Sequence, residues 1–189
     1  MVLVVIEGID GVGKSTQIEL LKGKLDCEVF VYPTKKFQIL RDYLDKKTEL
    51  DPKSLFLLFL ADIAADQGNV KNSKAKIVIL DRYVFSTIAY ELGEIPYEER
   101  KKAVESVGFL KPDLAILLDA DPQISQKRKT NQKNPDRYEE KLDFLKTVRS
   151  NFLKLEEERF LTTSWHRVDA TSDIESVHSE IMKLIAAFV

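Results

Sequence analysis

The sequence predicts an α/β fold in which a five-stranded parallel sheet carries helices on both faces. Short runs rich in apolar and β-branched residues, the pattern of strands buried on both faces, alternate with stretches of helical periodicity. This alternation is typical of strand–helix–strand units and of a parallel sheet. No repeat, low-complexity linker or change in composition divides the 189 residues. A single domain spanning residues 1–189 is therefore expected.

The predicted strands are short and apolar. The first is continuous and β-branched and stops at Glu7, and two later ones stop at Asp81 and Asp119. Carboxylates at strand ends lie on the edge of a parallel sheet where ligands bind. The five predicted strands are Val2 to Ile6, Glu28 to Tyr32, Ile77 to Leu80, Leu114 to Leu118 and Arg167 to Val168.

Helices are predicted where apolar residues recur every three or four positions, at 18–25, 39–44, 55–63, 142–155 and 174–188. Asp51 and Asp121 are each followed by a proline, which is the signature of an N-cap and a first helical position. A further helix is expected from Phe85 to Leu92. A short lid is predicted at about 125–138, because this segment is almost free of apolar residues and is basic. Its basic residues are Lys127, Arg128, Lys129, Lys133 and Arg137.

The composition argues against several classes of protein. Lys and Arg number 29 against 31 Asp and Glu, a net charge of -2 that lacks the basic excess of a dedicated nucleic-acid binder. Cys27 is the only cysteine and there are two histidines, so neither an intramolecular disulfide nor a transition-metal centre is expected. No apolar run approaches the roughly 20 residues of a membrane span, and no signal-peptide pattern is present. A cytoplasmic location, with no membrane partner, is the expectation.

A phosphate-binding loop follows the first strand and precedes the first helix. Its residues fit the pattern G-x-x-x-x-G-K-[ST], and they are Gly8, Ile9, Asp10, Gly11, Val12, Gly13, Lys14 and Ser15. Glycines allow successive backbone N–H groups to turn toward a phosphate, and the helix N-terminus adds positive potential. Lys14 is predicted to reach the β- and γ-phosphates, and Ser15 to hold Mg²⁺. Switches, motors and kinases share this loop, so it does not decide the function.

A second cluster follows the third strand. Asp81 is predicted to accept from a Mg²⁺-bound water, and Arg82 to bind a phosphate through its planar fork. Taken alone, Asp81-Arg82-Tyr83 is equally consistent with a surface ion pair at the start of a helix.

Together these motifs resemble the thymidylate kinase family. Glu7 to Gln17 is similar to that family's phosphate loop, and Asp81-Arg82-Tyr83 with Ser86 and Ala89-Tyr90 is similar to its second signature. The segment from Leu57 to Asp62 resembles its base-binding helix. Asp136 to Glu139 resembles the end of its lid, and Val168-Asp169-Ala170 precedes the last helix as in the family. The likeness covers nearly the whole chain.

The resemblance implies transfer of the ATP γ-phosphoryl to dTMP with Mg²⁺, in dTTP synthesis. It implies that Phe59 stacks on thymine, and that Tyr90 lies under the sugar and favours deoxyribose. It further implies that Arg128 lies over adenine. The other implied ligand contacts are Asp10 to the 3′-hydroxyl or the Mg²⁺ shell, Lys35, Arg41 and Arg82 to the acceptor phosphate, Thr16 and Ala170 to ATP, and Ser86 and Tyr138 to the acceptor. Without the resemblance, Phe59 and Tyr90 are as consistent with plain packing, and the basic run with a solvated face.

Two positions depart from the family pattern. Some members carry arginine in the phosphate loop directly after the aspartate, where this chain has Gly11, so a lid residue is expected to meet the transferring phosphate. Arg128 and Arg137 are the first candidates, and Lys133 is the third. Many members also carry arginine four residues after the stacking phenylalanine, where this chain has Ile63. Isoleucine donates no hydrogen bond, so weaker discrimination among bases is expected, with readout left to Asp62, Asp66, Gln67 or Thr87.

Other functions remain as alternatives. Another nucleoside monophosphate or deoxynucleoside kinase on the same fold is the nearest one. A nucleotide-dependent switch or binding module is disfavoured, because the chain lacks the guanine-reading pattern N-K-x-D. Relatives are commonly homodimers. The apolar helix from Pro52 to Asp66 and the start of the Phe85 to Leu92 helix are the candidate interface.

Overall fold

The sheet of the computed structural model is fully parallel, and its strands run in the order β2-β3-β1-β4-β5. The structure describes residues 1–91, 93–129 and 142–189. The strands are β1 (Val2–Glu7), β2 (Cys27–Val31), β3 (Ile77–Asp81), β4 (Leu114–Asp119) and β5 (Trp165–Asp169). The predicted α/β class, strand number and strand direction are confirmed.

Helices on both faces of the sheet connect the strands. Those of the described residues are α1 (Lys14–Lys24), α2 (Gln38–Leu44), α3 (Pro52–Ala64), α4 (Gln67–Asn72), α5 (Val84–Ala89), α6 (Tyr97–Val107), α7 (Pro122–Lys129), α8 (Leu142–Glu157) and α9 (Ile174–Ala186). None of them is long and apolar enough to cross a membrane.

The central position of β1 brings the functional residues together. In the parallel register Ile6 lies beside Asp81 of β3, and Glu7 lies beside Leu117 of β4. The phosphate loop and the cluster after β3 therefore leave the same edge of the sheet. Neighbouring strand ends meet at this edge, which is the ligand side of an open parallel sheet.

The core packs α5 tightly against the sheet. Phe85 is fully buried, and its ring lies 4.7 Å from the Trp165 ring of β5. Asn151 of α8 donates to the Ala89 carbonyl at 3.0 Å, and Arg100 of α6 donates to the Ile88 carbonyl at 3.0 Å. The short helix that begins after Arg82 is thus fixed at its C-terminal end by two neighbouring helices.

Two helices were not predicted from the sequence. Helix α6 is highly charged and buries only Arg100 and Val104, while α4 buries only Val70. Such narrow buried stripes give little periodic signal.

The Asp51 cap is confirmed, since its side chain accepts from the Ser54 N–H at 3.0 Å. Helix α7 extends to Lys129, so the basic segment begins as a helix. The rest of the predicted lid, with Lys133, Arg137 and Tyr138, lies outside the described residues.

Candidate active site

Glycines shape the loop between β1 and α1. Gly8, Gly11 and Gly13 have φ angles of 145°, 79° and 110°, which side-chain-bearing residues rarely adopt. At Gly8 a Cβ atom would also overlap the Leu118 carbonyl oxygen of β4. Only glycine therefore allows the loop to leave β1 this close to the neighbouring strand, so that its N–H groups are available to a phosphate.

Lys14, the first residue of α1, is buried against the loop. Its Nζ donates to the Gly8 carbonyl at 2.7 Å and to the Ile9 carbonyl at 3.0 Å. Burial, with the positive charge of Arg82, lowers the pKa of Lys14 to about 7. An anion beside the loop would favour the charged ammonium, so the site is electrostatically suited to a polyphosphate.

The first turn of α1 and the end of β3 offer oxygen atoms near this lysine. Ser15 and Thr16 are exposed, while Asp81 is half-buried. Burial raises the pKa of Asp81, and Lys14 and Arg82 act against that rise. A hydroxyl and a carboxylate are hard ligands of the kind that Mg²⁺ prefers, with waters and phosphate oxygens completing its shell. No cluster of three or more acidic, histidine or cysteine side chains suited to a metal occurs in the part of the chain that the structure describes.

A pocket of about 110 Å³ opens beside the loop. It lies among α3, α5 and the segment after β2, and it reaches the phosphate loop at Asp10. Its residues are Asp10, Tyr32, Pro33, Leu44, Pro52, Leu55, Phe56, Phe59, Asp62, Ile63, Arg82, Tyr83, Ser86, Thr87, Tyr90 and Glu91. The walls are mainly apolar and aromatic, with polar groups at one end, as in most small-molecule sites.

Asp10, Arg82 and Tyr90 form the polar end of the pocket. The Arg82 guanidinium is ion-paired with the Asp10 carboxylate and lies over the Tyr90 ring, 5.2 Å from its centroid. The Tyr90 hydroxyl accepts from the Asp10 N–H at 3.0 Å and donates to Asp10 Oδ2 at 3.1 Å. This cluster joins the phosphate loop to the pocket.

The electrostatics keep Arg82 charged. Burial works against the charge, but Asp10, Tyr90 and Glu7 hold the pKa of the guanidinium above its usual value. Arg82 has a φ angle of 66°, a left-handed backbone conformation that non-glycine residues adopt mainly where the surrounding structure enforces it. Burial and the Asp10 carboxylate raise the pKa of the Tyr90 hydroxyl, so it stays protonated and able to donate.

Of the four predicted base readers, Asp62 and Thr87 line the pocket, whereas Asp66 and Gln67 are not part of its lining. Asp62 is fully buried and accepts from the Thr34 N–H at 2.6 Å and from the Thr34 hydroxyl. Asp66 accepts from Lys36 at 2.5 Å, and the Gln67 amide oxygen accepts from the Tyr83 hydroxyl at 2.9 Å. Thr87 differs from these three residues, because its hydroxyl makes no hydrogen bond with another side chain among the described residues. Of the four predicted base readers, Thr87 is the one whose hydrogen-bonding capacity is not committed in this way.

The structure brings together many of the predicted site residues. Asp10, Phe59, Arg82, Ser86 and Tyr90 all line the pocket. Lys35 and Arg41 are exposed and are not part of this lining, so their contact with an acceptor stays a prediction.

The predicted adenine site combines two parts of the chain. Arg128 of α7 donates to the Ala170 carbonyl at 2.7 Å, which places this side chain against the loop after β5. The role of either residue toward ATP stays a prediction.

Two buried acidic residues were missed as functional candidates. Glu91 lines the pocket and forms a 2.7 Å ion pair with Arg100. Glu7 is fully buried and accepts hydrogen bonds from Tyr83 and Ser86. A glutamate that ends a buried strand directly before a phosphate loop could have been recognised from the sequence as a functional candidate, because a buried carboxylate needs hydrogen-bond donors nearby.

Comparisons with known proteins agree with this geometry. A family model described as thymidylate kinase matches residues 6–181. A probable thymidylate kinase of Methanocaldococcus jannaschii is 39% identical over 184 residues, covering 95% of this chain and 93% of the relative. The thymidylate kinase of Schizosaccharomyces pombe is 35% identical over 195 residues, covering 97% and 91%.

Solved structures share the fold. The thymidylate kinase of Ehrlichia chaffeensis has a TM-score of 0.75 and 26% identity, with 98% of each chain covered. That of Candida albicans has a TM-score of 0.80 and 24% identity, covering 98% of this chain and 91% of the other. The sequence matches extend from the phosphate loop through the residues of the pocket to the last helix, and the chain belongs to the thymidylate kinase family.

Proposed function

We propose that the chain transfers the γ-phosphoryl group of ATP to dTMP, producing ADP and dTDP. The observation that carries this proposal is the Asp10–Arg82–Tyr90 cluster. It lies where the phosphate loop meets the acceptor pocket, so it is at the place where the two phosphate groups must approach each other. This transfer supplies the diphosphate from which dTTP is made.

The donor side is built from the loop and the start of α1. The backbone N–H groups of residues 8–16 surround the ATP phosphates, and Lys14 exchanges the loop carbonyls for the β- and γ-phosphates. Arg128 lies over the adenine and Ala170 contacts ATP beside it, which is supported by the hydrogen bond that holds these two residues next to each other.

The acceptor side uses the pocket. Phe59 stacks on thymine, Tyr90 lies under the deoxyribose, and Arg82 binds the acceptor phosphate with its planar fork. Ser86 supports Arg82, since its hydroxyl accepts from the Arg82 guanidinium at 3.2 Å. Lys35 and Arg41, exposed beyond this lining, add positive charge to the approach of an anionic substrate.

Mg²⁺ fits the donor set beside the loop. Ser15 would hold it directly, and Asp81 would do so through a water. When bound, the ion neutralises charge on the ATP phosphates.

The chemistry requires mainly placement. The acceptor phosphate already carries a nucleophilic oxygen, so the protein needs to hold two anions in line and to stabilise the charge of the transferring group. Arg82 meets the acceptor phosphate and Lys14 the donor. Arg128 or Arg137 supplies further positive charge to the transferring phosphate in place of an arginine at position 11.

Base selection is expected to be loose. Ile63, at 2% exposure, presents only apolar atoms to the pocket, and Asp62, Asp66 and Gln67 are engaged elsewhere. One hydroxyl, that of Thr87, is then left to distinguish the base edges. A single neutral hydrogen bond discriminates thymine from cytosine by about tenfold, whereas uracil presents the same hydrogen-bonding edge as thymine and is not distinguished in this way. We therefore expect dUMP and dCMP to be phosphorylated with kcat/KM within about 100-fold of dTMP.

A homodimer through α3 fits the exposed side of that helix. Leu57 is 60% exposed, and Ala61 and Ala64 are exposed on the same face, four and seven residues further along. Phe85 does not contribute, because it is fully buried in the core. Sedimentation of the purified chain tests this proposal.

A substrate panel tests the proposed reaction. ADP release from ATP is coupled to NADH oxidation with dTMP, dUMP, dCMP, dGMP, dAMP and the corresponding ribonucleotides as acceptors. The highest kcat/KM for dTMP, with the other pyrimidine deoxynucleotides close behind, is the expected result. A preference for a purine or a ribonucleotide would favour the alternative, another nucleoside monophosphate kinase on this fold. Nucleotide binding without transfer to any acceptor would favour a switch or binding module.

A further inference from the structure

Glu7 is a charged residue in a place that normally excludes charge. It is the last residue of β1, its exposure is 0%, and it directly precedes Gly8 of the phosphate loop. Burying a carboxylate is unfavourable by several kcal/mol unless donors replace its hydration. Its partners therefore indicate what the residue does.

Those partners all belong to the acceptor side of the site. Glu7 Oε1 accepts from the Tyr83 N–H at 2.8 Å and from the Ser86 N–H at 3.2 Å, while Oε2 accepts from the Ser86 hydroxyl at 2.6 Å. These N–H groups open α5, which has no capping side chain of its own. Glu7 thus caps α5 from a different element. Burial raises the pKa of its carboxyl to about 7, while the Ser86 and Tyr83 donors and the charges of Arg82 and Lys14 favour the carboxylate, as the positive end of the helix does.

The hydrogen bond from Ser86 also fixes the direction of its hydroxyl group. A serine hydroxyl has one hydrogen, and here that hydrogen is donated to Glu7. The oxygen lone pairs then face the Arg82 guanidinium, which donates to Ser86 Oγ at 3.2 Å. The other arm of the Arg82 fork is held by Asp10. The fork is therefore fixed at two points, and Glu7 orients one of them.

We propose that Glu7 is a positioning residue that aims Arg82 at the acceptor phosphate through the Ser86 hydroxyl. The same carboxylate ties α5, which carries Ser86 and lies between Arg82 and Tyr90, to the strand from which the phosphate loop departs. This inference rests on the proposed phosphoryl transfer. It means that Glu7, although it does not touch the substrates itself, helps to align the acceptor phosphate with the donor.

The experiment is a double-mutant cycle on the full chain with Glu7→Gln, Ser86→Ala and the double variant. Glutamine keeps the shape and one acceptor oxygen but offers an N–H₂ donor to Ser86, so the hydroxyl no longer has a fixed direction. KM for dTMP, KM for ATP and kcat are measured for each enzyme. We expect Glu7→Gln to raise KM for dTMP about tenfold and to leave KM for ATP within twofold. In the double variant the loss should be close to that of the worse single variant, because both act on the same contact.

Three results would overturn the proposal: additive losses in the double variant, an equal rise in KM for ATP, or a Glu7→Gln enzyme within twofold of wild type. Asp113→Asn is the matched control. The Asp113 carboxylate accepts from the Leu3 N–H at 2.8 Å, and Leu3 lies at the end of β1 opposite to Glu7. It should leave both KM values as they are in the wild type.

A second pair of variants applies even if Glu7→Gln does not fold. Ser86→Ala must then raise KM for dTMP selectively, and Ser86→Thr, which keeps a hydroxyl, must recover most of the loss. Equal effects of Ala and Thr would contradict the role of the hydroxyl. The wild-type activity with dTMP is a separate readout, so a failure of the proposed function is seen before any variant is compared.

Discussion

The hydroxyl of Tyr90 bridges two atoms of Asp10, accepting from its backbone N–H at 3.0 Å and donating to its carboxylate at 3.1 Å. Asp10 belongs to the phosphate loop, whereas Tyr90 follows α5, 80 positions further along the chain. The phosphate loop and the pocket are therefore in direct contact through a residue pair, and Arg82 lies against both members of it. Because a shift of either residue moves the other, we expect acceptor binding to be sensitive to this pair.

Removing the Tyr90 hydroxyl tests that sensitivity. Tyr90→Phe keeps the ring but loses both hydrogen bonds to Asp10, so we expect KM for dTMP to rise about tenfold, the equivalent of one or two hydrogen bonds. KM for ATP should change less than twofold. Tyr97→Phe is the matched control, since the Tyr97 hydroxyl bonds Glu158 on a different surface. A Tyr90→Phe enzyme with the KM of the control would disprove the link.

Gly8 should tolerate no side chain. A Cβ atom there would overlap the Leu118 carbonyl oxygen, and the φ angle of 145° is unfavourable for any other residue. We expect Gly8→Ala to lower the free energy of unfolding by about 2 kcal/mol or more and to abolish ATP binding. Gly23→Ala provides the contrast, because its Cβ would meet no atom within 4 Å inside α1 and should add about 0.5–1 kcal/mol of stability. Urea unfolding and nucleotide titration measure both effects.

The Thr87 hydroxyl should carry most of the base discrimination. Thr87→Val keeps the shape of the side chain and removes the hydroxyl, so we expect kcat/KM for dTMP to fall about five- to tenfold and the differences between pyrimidine bases to shrink. Thr147→Val, on the exposed side of α8, is the control. An unaltered ratio of dTMP to dCMP turnover would show that the base is recognised by other groups.

The sequence predicted the sheet and the loop because these depend on local patterns. The apolar run from Val2 to Ile6 and the glycine spacing after Glu7 allow few other structures. The hydrogen bonds that the Tyr83 and Ser86 N–H groups donate to Glu7 join residues 76 and 79 positions apart, and no periodicity encodes such a pairing. Lys14 also donates to two loop carbonyls, a detail that the motif alone does not specify. The contacts of residues whose partners are distant in the chain are therefore the ones that the sequence pattern does not predict.

Asp62 should control the segment after β2 that forms one wall of the pocket. Its carboxylate holds both the N–H and the hydroxyl of Thr34, next to Pro33. We expect Asp62→Asn to lower the free energy of unfolding by about 1–3 kcal/mol, because an amide N–H₂ replaces one acceptor, and to raise KM for dTMP. Asp51→Asn on the same helix is the control, as asparagine caps a helix as well as aspartate does. Equal stability of the two variants would contradict the role given to Asp62.

His178 should make the stability of the fold depend on pH. It is 2% exposed on α9, its Nδ1 lies 3.2 Å from Gln17 Oε1, and its Nε2 has no partner among the described residues. Burial lowers the pKa of this imidazole, the Lys24 ammonium lowers it further, and Glu175 acts in the opposite direction. A folded-state pKa below the unfolded value of about 6.5 means that the neutral form is favoured in the fold. The contribution of the neutral imidazole to the free energy of unfolding is therefore complete above the unfolded pKa. It is lost as the pH falls through the lower pKa of the folded state.

The free energy of unfolding, measured with urea at pH 7, 6 and 5, should therefore fall more steeply in the wild type than in His178→Asn. Asparagine keeps an N–H donor for Gln17 but does not titrate, so the comparison removes the proton while leaving the contact. His166→Asn, which changes an exposed side chain of β5, is the control and should retain the wild-type slope. Parallel slopes for wild type and His178→Asn would show that protonation of this buried ring does not limit stability in acid.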